Sequence, residues 1–162
     1  MEALGPAATC VKTTTAVKYL WASPATALGA LLGVAAGLLG ARLRIHAGVL
    51  EVSLGPGRNR VAGGLAARLA DAAGRLPFSA ITLGHVVLAV SQTAQEMLRS
   101  HERAHVAQFE RWGALLLLAY PAESLLQYLL GRDAYLDNRF EVAARKAETQ
   151  SVAPHASRHF TH

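Results

Sequence analysis

The chain has 162 residues, enough for one domain with a modest core, and 52% of them are hydrophobic while only 17% are charged. Its net charge of +5 comes from basic residues scattered along the chain, which argues against a nucleic acid as partner. Cys10 is the only cysteine, so an intrachain disulfide framework and a cysteine-based zinc site are both excluded. This composition favours contact with membrane lipid.

An uncharged apolar run follows a small and polar N-terminal tail, residues 1–18. As a helix, residues 19–41 are long enough to cross a hydrocarbon core of about 30 Å. Tyr19 and Trp21 stand at its start, where interfacial aromatic residues are common. A cleaved signal peptide is the competing interpretation, but the leader is long and the run exceeds a usual signal-peptide core. We therefore predict a transmembrane helix, or an uncleaved signal anchor, in a single-pass protein of the cell membrane.

Basic residues on the two sides of this run predict its orientation. Four arginines follow the run and two lysines precede it: Arg42, Arg44, Arg58, Arg60, Lys12 and Lys18. Because cytoplasmic segments carry the excess of basic residues, we expect the rest of the chain in the cytoplasm. That remainder divides into a domain, residues 42–150, and a tail, residues 151–162, which lacks periodicity and is predicted to be disordered.

The first half of the domain contains the strand patterns. Residues 42–54 alternate apolar and polar side chains on both sides of Gly48, which predicts a β-hairpin. Residues 55–64 are predicted as a loop and residues 65–74 as a short helix. Residues 78–90 are rich in β-branched and apolar residues and predict one buried strand. The fold class is therefore α+β, with a short antiparallel sheet.

A second apolar run, residues 114–130, is interrupted by a proline and two polar residues. It is shorter than a usual span, which favours a buried or membrane-lying helix over a membrane crossing. Residues 133–149 are predicted as a turn and then a polar helix, with Asp137 or Asn138 as its N-cap.

The sequence HERAH, residues 101–105, lies in a helix predicted to begin near Ser91 or Thr93 and to end at Trp112. On a helical wheel, His101 and His105 fall on one stripe and the charged residues fall on the opposite face. The stripe also holds Ala94, Leu98, Gln108 and Trp112, and the opposite face holds Glu96, Arg99, Arg103 and Glu110. A helix with such a charged face should not lie in hydrocarbon.

Two core histidines with ordinary hydrogen-bond partners are the alternative interpretation of this stripe. Burying His101 and His105 without a shared ligand would require partners for four ring nitrogens. At this spacing both imidazoles can reach one metal ion. Glu102, at the border of the stripe, could act on water there without being a ligand. We therefore predict a metal site with Glu102 as its general base.

Glu123 and Glu141 are the candidates for the third ligand, since no histidine follows at the short metzincin spacing. Glu123 lies in the apolar run, where an isolated carboxylate is costly unless it has a partner; a helix start after Pro121 is its ordinary explanation. Glu141 begins the last helix, where it could instead pair with Arg145. Glu141 is available only if residues 114–130 do not cross the bilayer.

Three segments carry a resemblance to a known group: AITLGHVVLA, LRSHERAHVAQFERWG and GRDAYLDNRFEVAA. Their HExxHxxQ and D-N-x-F-E elements resemble those of small uncharacterised bacterial membrane-associated proteins and, more distantly, minimal gluzincin metallopeptidases. The resemblance covers about residues 40–148. It implies a gluzincin-like domain in which His101, His105 and Glu141 bind Zn²⁺ and Glu102 is the general base. Where that group often has proline after the asparagine, this chain has Arg139.

These observations predict a membrane-anchored zinc metallopeptidase-like protein that hydrolyses a peptide or protein substrate with a zinc-activated water. The strand before the helix would line the cleft and, as an edge strand, could bind an extended substrate. His85 is a candidate oxyanion donor or further ligand, and a polar residue at the rim of the sheet explains it at least as well. Tyr120, Tyr128 and Tyr135 are candidate oxyanion donors, but core packing explains each of them better. The alternatives are a non-catalytic zinc-binding membrane protein with a structural or regulatory role, and a membrane-associated protein without metal.

Overall fold

The computed structural model describes residues 7–54, 75 and 79–152, with the side chains of residues 16–54, 75 and 79–150. Its helices and strands are α1 (Ala7–Leu38), β1 (Arg42–His46), β2 (Val49–Ser53), β3 (Ala80–Leu83), β4 (Val86–Ala89), α2 (Gln92–Met97), α3 (Arg99–Trp112), α4 (Leu116–Leu129) and α5 (Arg139–Val152). The predicted α+β class is confirmed. The predicted loop 55–64, the predicted helix 65–74 and all of the predicted tail after residue 152 lie outside the described residues.

The four strands form a mixed sheet in the order β1-β2-β4-β3. β1 with β2, and β3 with β4, are antiparallel hairpins, but β2 and β4 run parallel, with Leu50 opposite Val86. The predicted antiparallel sheet is therefore wrong at its centre, because side-chain alternation identifies a strand without selecting its neighbour. Among the described strands, β3 lies at an edge.

The single strand predicted over residues 78–90 is wrong, since β3 and β4 are separated by a turn at Gly84 and His85. Gly84 has φ of +62°, a left-handed conformation that other residues rarely adopt. A Cβ at Gly84 would also lie 2.5 Å from the backbone nitrogen of Thr26 in α1. The glycine thus turns the chain and lets α1 approach, whereas the apolar residues on both sides of it conceal the turn in the sequence.

α1 contains the segment Ala16–Leu38, which is long and apolar enough to cross a membrane. A signal sequence near the N-terminus has the same properties. The helix is longer than predicted at its start, because it begins at Ala7, and it ends at Leu38. Ala22 and Ala25 of α1 are fully buried against Phe109 of α3 and Leu116 of α4.

α1 packs on one face of the sheet, where Ala36 lies against Val52 and Val86. The helix that contains HERAH packs on the other face, where Val49, Val87 and Val106 form a small core. The Ser91 hydroxyl accepts from the backbone nitrogen of Ala94 at 3.1 Å, which confirms Ser91 as the helix start. The predicted helix is divided at Leu98 into α2 and α3.

The run 114–130 is helical, as predicted, and forms a 3₁₀ turn followed by α4. Of the two predicted N-caps for the last helix, Asn138 is the one used: its Oδ1 accepts from the backbone nitrogen of Phe140 at 2.9 Å. The Asn138 amide donates to the carbonyl of Tyr120 and to the hydroxyl of Ser124, both in α4. This fully buried asparagine fixes the start of α5 against α4 and thereby places Glu141.

Candidate metal centre

α3 and α5 together form a group of three buried side chains. His101 and His105 project one helical turn apart from α3, with their Nε2 atoms 3.1 Å apart. Glu141 projects from the first turn of α5, with Oε2 3.2 Å from His101 Nε2 and Oε1 3.2 Å from His105 Nε2. His101, His105 and Glu141 could therefore hold one metal ion, because their ligand atoms lie within 4.8 Å of one another.

The shortest separations between ligand atoms in this group are close to those around a tetrahedral ion. Ligand bonds of about 2.0–2.1 Å place two ligand atoms of a tetrahedron about 3.3–3.4 Å apart. The two Nε2 atoms lie 3.1 Å apart, and each of them lies 3.2 Å from a different oxygen of the Glu141 carboxylate. Oε2 of Glu141 is buried and lies 3.2 Å from His101 Nε2 and 3.9 Å from the Arg145 guanidinium, so an ion at the centre would give it a closer partner.

Residues beside the histidines determine which ring nitrogen faces the centre. Gln108 Nε2 donates to the carbonyl of Phe140 at 2.8 Å, so its Oε1 lies 3.0 Å from His105 Nδ1 as an acceptor. Nδ1 of His105 therefore carries the hydrogen, and Nε2 presents its lone pair to the centre. Nδ1 of His101 lies 3.5 Å from the carboxylate of Glu148, which acts on His101 in the same direction.

Electron-rich atoms of three side chains thus face one another, an arrangement that favours a cation between them. Burial lowers the pKa of His105, but its hydrogen bonds with Glu141 and Gln108 outweigh burial and raise the pKa above its ordinary value. Burial alone would raise the pKa of Glu141, yet hydrogen bonds with His101, His105 and Tyr120 hold it far below its usual range. Both shifts show that the group favours a positive charge at its centre, as a proton or a metal ion.

Glu102 lies next to this group without belonging to it. Its side chain is buried, and Oε2 accepts a hydrogen bond of 2.6 Å from the hydroxyl of Thr82 in β3. Glu102, His101, His105 and Glu141 all line one cavity of about 410 Å³. The prediction placed Glu102 only at the border of the inward stripe, whereas it is fully part of the buried face.

The cavity lies between β3, α3 and α4 and is mostly apolar. Ile81 and Leu83 of β3 and Leu117 and Pro121 of α4 form parts of its wall. The polar groups of the cavity are concentrated at the histidines and glutamates. This combination of an apolar wall and a few convergent polar groups is typical of a ligand-binding site.

Tyr120 and Tyr135 also line the cavity, whereas Tyr128 does not and is exposed. The Tyr120 hydroxyl donates to Glu141 Oε1 at 2.7 Å, and burial followed by this bond raises the pKa of Tyr120 well above its usual value. Burial, with the nearby Glu141 carboxylate, raises the pKa of Tyr135 to about 12. Both tyrosines therefore remain protonated donors at neutral pH.

Glu123, the other candidate for the third ligand, is buried elsewhere. Its carboxylate accepts from Arg139 Nη2 at 2.7 Å and from Gln127 Nε2 at 2.8 Å, and it does not line the cavity. The Arg139 guanidinium, with Gln127, holds the pKa of Glu123 below its usual range. The structure thus brings Glu141, and not Glu123, to the histidines, and Arg139 takes the role of partner to Glu123.

His85 is not brought to the metal group. Its ring stacks on Tyr19 of α1 at 4.1 Å, with Nδ1 3.3 Å from the Thr26 hydroxyl and Nε2 3.5 Å from Glu110. These partners belong to α1 and to the side of α3 that faces away from the metal group. The position of His85 therefore does not fit the role of oxyanion donor or further ligand. His85 instead joins α1 to the domain.

The helical wheel is wrong in one further respect. Trp112, predicted on the inward stripe, is 42% exposed, while Val106 and Phe109 are buried with the histidines. The buried stripe is therefore rotated towards Glu102. Sequence reasoning assigned no supporting role to Thr82, Gln108 or Glu148, which contact Glu102, His105 and His101 respectively. Only Gln108 had a signal, since a residue three positions after His105 lies beside it on the helix.

Comparison of the chain with protein-family models, with curated proteins and with solved structures gives no match. The fold and the site define a small α+β protein with an N-terminal candidate membrane helix and a His/Glu group that could hold a metal ion.

Proposed function

We propose that the protein is a membrane-associated, gluzincin-like zinc metallopeptidase in which His101, His105 and Glu141 hold Zn²⁺ and Glu102 is the general base. One observation carries the proposal. Ligand atoms of His101, His105 and Glu141 lie within 4.8 Å of one another in the wall of an open cavity, beside the buried carboxylate of Glu102, which is not one of them. A closed structural site would instead use four protein ligands.

Two imidazoles and one carboxylate form a ligand set that suits zinc. When bound, the ion would supply Lewis acidity, which polarises a carbonyl and lowers the pKa of water. The chain's own residues perform the other tasks. Gln108 and Glu148 orient the imidazoles, and Thr82 orients the carboxylate of Glu102, which accepts the proton.

The position of β3 supports an extended peptide as the substrate. β3 is the edge strand of the described sheet, and all four of its residues, Ala80–Leu83, line the cavity. The free backbone groups of an edge strand can pair with an added strand. A peptide bound in this way would pass beside Glu102 and the metal ligands.

The first test of this proposal is the metal content of the purified full-length chain. We expect close to one zinc per chain by mass spectrometry of the metal, and a loss of that zinc in His101→Ala and in Glu141→Ala. Zinc-free wild-type protein, together with unchanged stability of His101→Ala, would contradict the proposal and leave the histidines as ordinary core residues.

The second test separates a peptidase from a protein that only binds zinc. Glu102→Gln should keep its zinc and lose at least about 100-fold of the hydrolysis of a quenched fluorescent peptide library, because the general base is removed. Glu96→Gln is the matched control, since Glu96 lies exposed on α2. If the wild type carries zinc but hydrolyses the library no faster than Glu102→Gln does, the non-catalytic zinc-binding function is the correct one.

A further inference from the structure

The inner face of α1 is in contact with the folded domain at successive turns. The Thr26 hydroxyl accepts from the backbone N–H of His85 at 3.1 Å. A Cβ at Gly29 would lie 2.8 Å from the carbonyl oxygen of Leu83, and one at Gly33 would lie 3.1 Å from a side chain of β2. The domain therefore occupies the side of the helix that a free membrane span would present to lipid.

Charged side chains of the domain lie beside α1. Lys18 of α1 pairs with Glu110 of α3 at 3.1 Å, and β1, with exposed Arg42 and Arg44, begins directly after α1. Leu43 of β1 also packs on the last turns of the helix. If α1 crossed the bilayer as it stands in the fold, the strands packed along it would enter hydrocarbon with it, although β1 carries Arg44 and β2 carries Glu51.

The outer face of α1 is apolar and exposed. Leu20, Leu31 and Leu38 are 75%, 67% and 83% exposed, and only 28% of the most apolar window of the helix is buried. A core helix of a soluble domain would be mostly buried. The segment Ala16–Leu38 has 23 residues and so extends about 34 Å along the protein surface.

α4 presents a second apolar face and is too short to cross a membrane. Its 14 residues extend about 21 Å, against a hydrocarbon core of about 30 Å. Leu118, Leu125 and Leu129 are exposed. The helix begins beside α1, where the indole of Trp21 lies so close to Gly113 that a Cβ there would be 2.7 Å from the ring.

We infer that α1 lies in the plane of the membrane surface and does not cross the bilayer. The outer faces of α1 and α4, defined by Leu20, Leu31, Leu38, Leu118, Leu125 and Leu129, form a membrane-lying surface that enters one leaflet. Its partner is a bilayer with anionic lipids. The net charge of +5 favours anionic lipids, and the half-exposed Tyr19, Trp21 and Trp112 suit the membrane interface. This inference holds whether or not the metal centre is catalytic.

The first test maps the side of the membrane at three points along the full-length chain. An N-terminal tag, a C-terminal tag and a cysteine at Thr93, in a Cys10→Ser background, are probed in right-side-out and inverted vesicles by protease and an impermeant maleimide. All three should be accessible in the same vesicle orientation. The inference fails if any one of them lies on the opposite side, or if the N-terminal tag is absent from the membrane-bound protein.

The second test identifies what covers the membrane-lying surface. The pair Leu20→Glu and Leu31→Glu should reduce flotation with phosphatidylcholine–phosphatidylglycerol vesicles at least about tenfold, because two charges enter the leaflet. Met97→Glu, at an exposed apolar position of α2, should float like the wild type. Flotation of the double variant at the wild-type level overturns the inference. Conversion of a dimer to a monomer by the same two substitutions also overturns it, because a second copy of the chain would then cover the surface.

Discussion

The metal group and the inner face of α1 are both tightly packed, but by contacts of opposite kinds. Around Glu141 the contacts are polar, and each one depends on a particular atom, such as the Tyr120 hydroxyl or the Gln108 amide. Along α1 the contacts are apolar, and they depend on the absence of atoms at Gly29 and Gly33. Removing a polar atom should therefore destabilise the metal group, and adding an atom at Gly29 or Gly33 should destabilise the packing of α1.

Removal of zinc should have the largest effect on the polar region. Without a cation, three electron-rich groups face one another, so metal binding and folding are coupled. At zinc concentrations of about 1,000 Kd, bound metal contributes about 4 kcal/mol to the free energy of unfolding. Urea unfolding with zinc, and with a chelator, should show this difference in the wild type and in Glu102→Gln. His101→Ala should show none, and a wild type that is insensitive to the chelator would contradict the zinc site.

Added volume at Gly29 should have the next largest effect, and it acts on the apolar region. Gly29→Leu places a side chain against the backbone of β3, which cannot move aside as a side-chain tip can. Overpacking of this kind costs about 1–3 kcal/mol or more. Ala27→Leu is the matched control, because Ala27 lies on the exposed side of the same helix. Chemical unfolding in detergent micelles should separate the two variants, and equal stability would show that α1 is not packed on the sheet.

The two regions also differ in what the sequence could predict. The HExxH spacing predicts that His101 and His105 share a face, because one helical turn relates them whatever the rest of the fold does. Glu141 comes from another helix, and its position depends on Asn138 holding α5 against α4, a long-range contact that no local pattern encodes. Resemblance, rather than spacing, selected Glu141 over Glu123.

The apolar region shows the corresponding limit for hydropathy. Length and composition correctly predict a long apolar helix, but alanine and glycine count as apolar whether they face lipid or a sheet. The inner face of α1 therefore could not be distinguished from its outer face in the sequence. The parallel pairing of β2 with β4 was equally hidden, since it joins two hairpins that are separated along the chain.

Gln108→Leu should have a smaller effect, confined to the metal. It removes the acceptor that fixes His105 Nδ1–H and the donor to the Phe140 carbonyl, while it keeps the helix and the ligands. Loss of a partner that orients a metal ligand lowers metal affinity by about 10–100-fold. Competition with a fluorescent chelator measures this change, with exposed Gln150→Leu as the control. If both variants bind zinc like the wild type, Gln108 has no orienting role.

The ion pair of buried Glu123 with exposed Arg139 should give the smallest effect, and it tests a polar contact outside the metal group. The Arg139 guanidinium, followed by Gln127, lowers the pKa of Glu123 in the folded chain. A lowered folded-state pKa stabilises the protein above the unfolded value of about 4.3, and this stability is lost as the pH falls through the folded pKa. Glu123→Gln removes this pH-dependent stabilisation. Between pH 6 and the acid range, the free energy of unfolding of the variant should therefore change less than that of the wild type.

Protonation of the metal ligands also destabilises the acid form, but it does so in both proteins and cancels in the comparison. Arg139→Pro provides the complementary variant, since proline is favoured at the first position of a helix and α5 begins at Arg139. It keeps the helix start but removes both the guanidinium and the backbone N–H of residue 139 that hydrogen-bond to Glu123. Arg139→Pro should therefore destabilise the chain at neutral pH in the wild-type background and do so less when Glu123 is glutamine. Equal effects in the two backgrounds would show that Arg139 and Glu123 are not coupled.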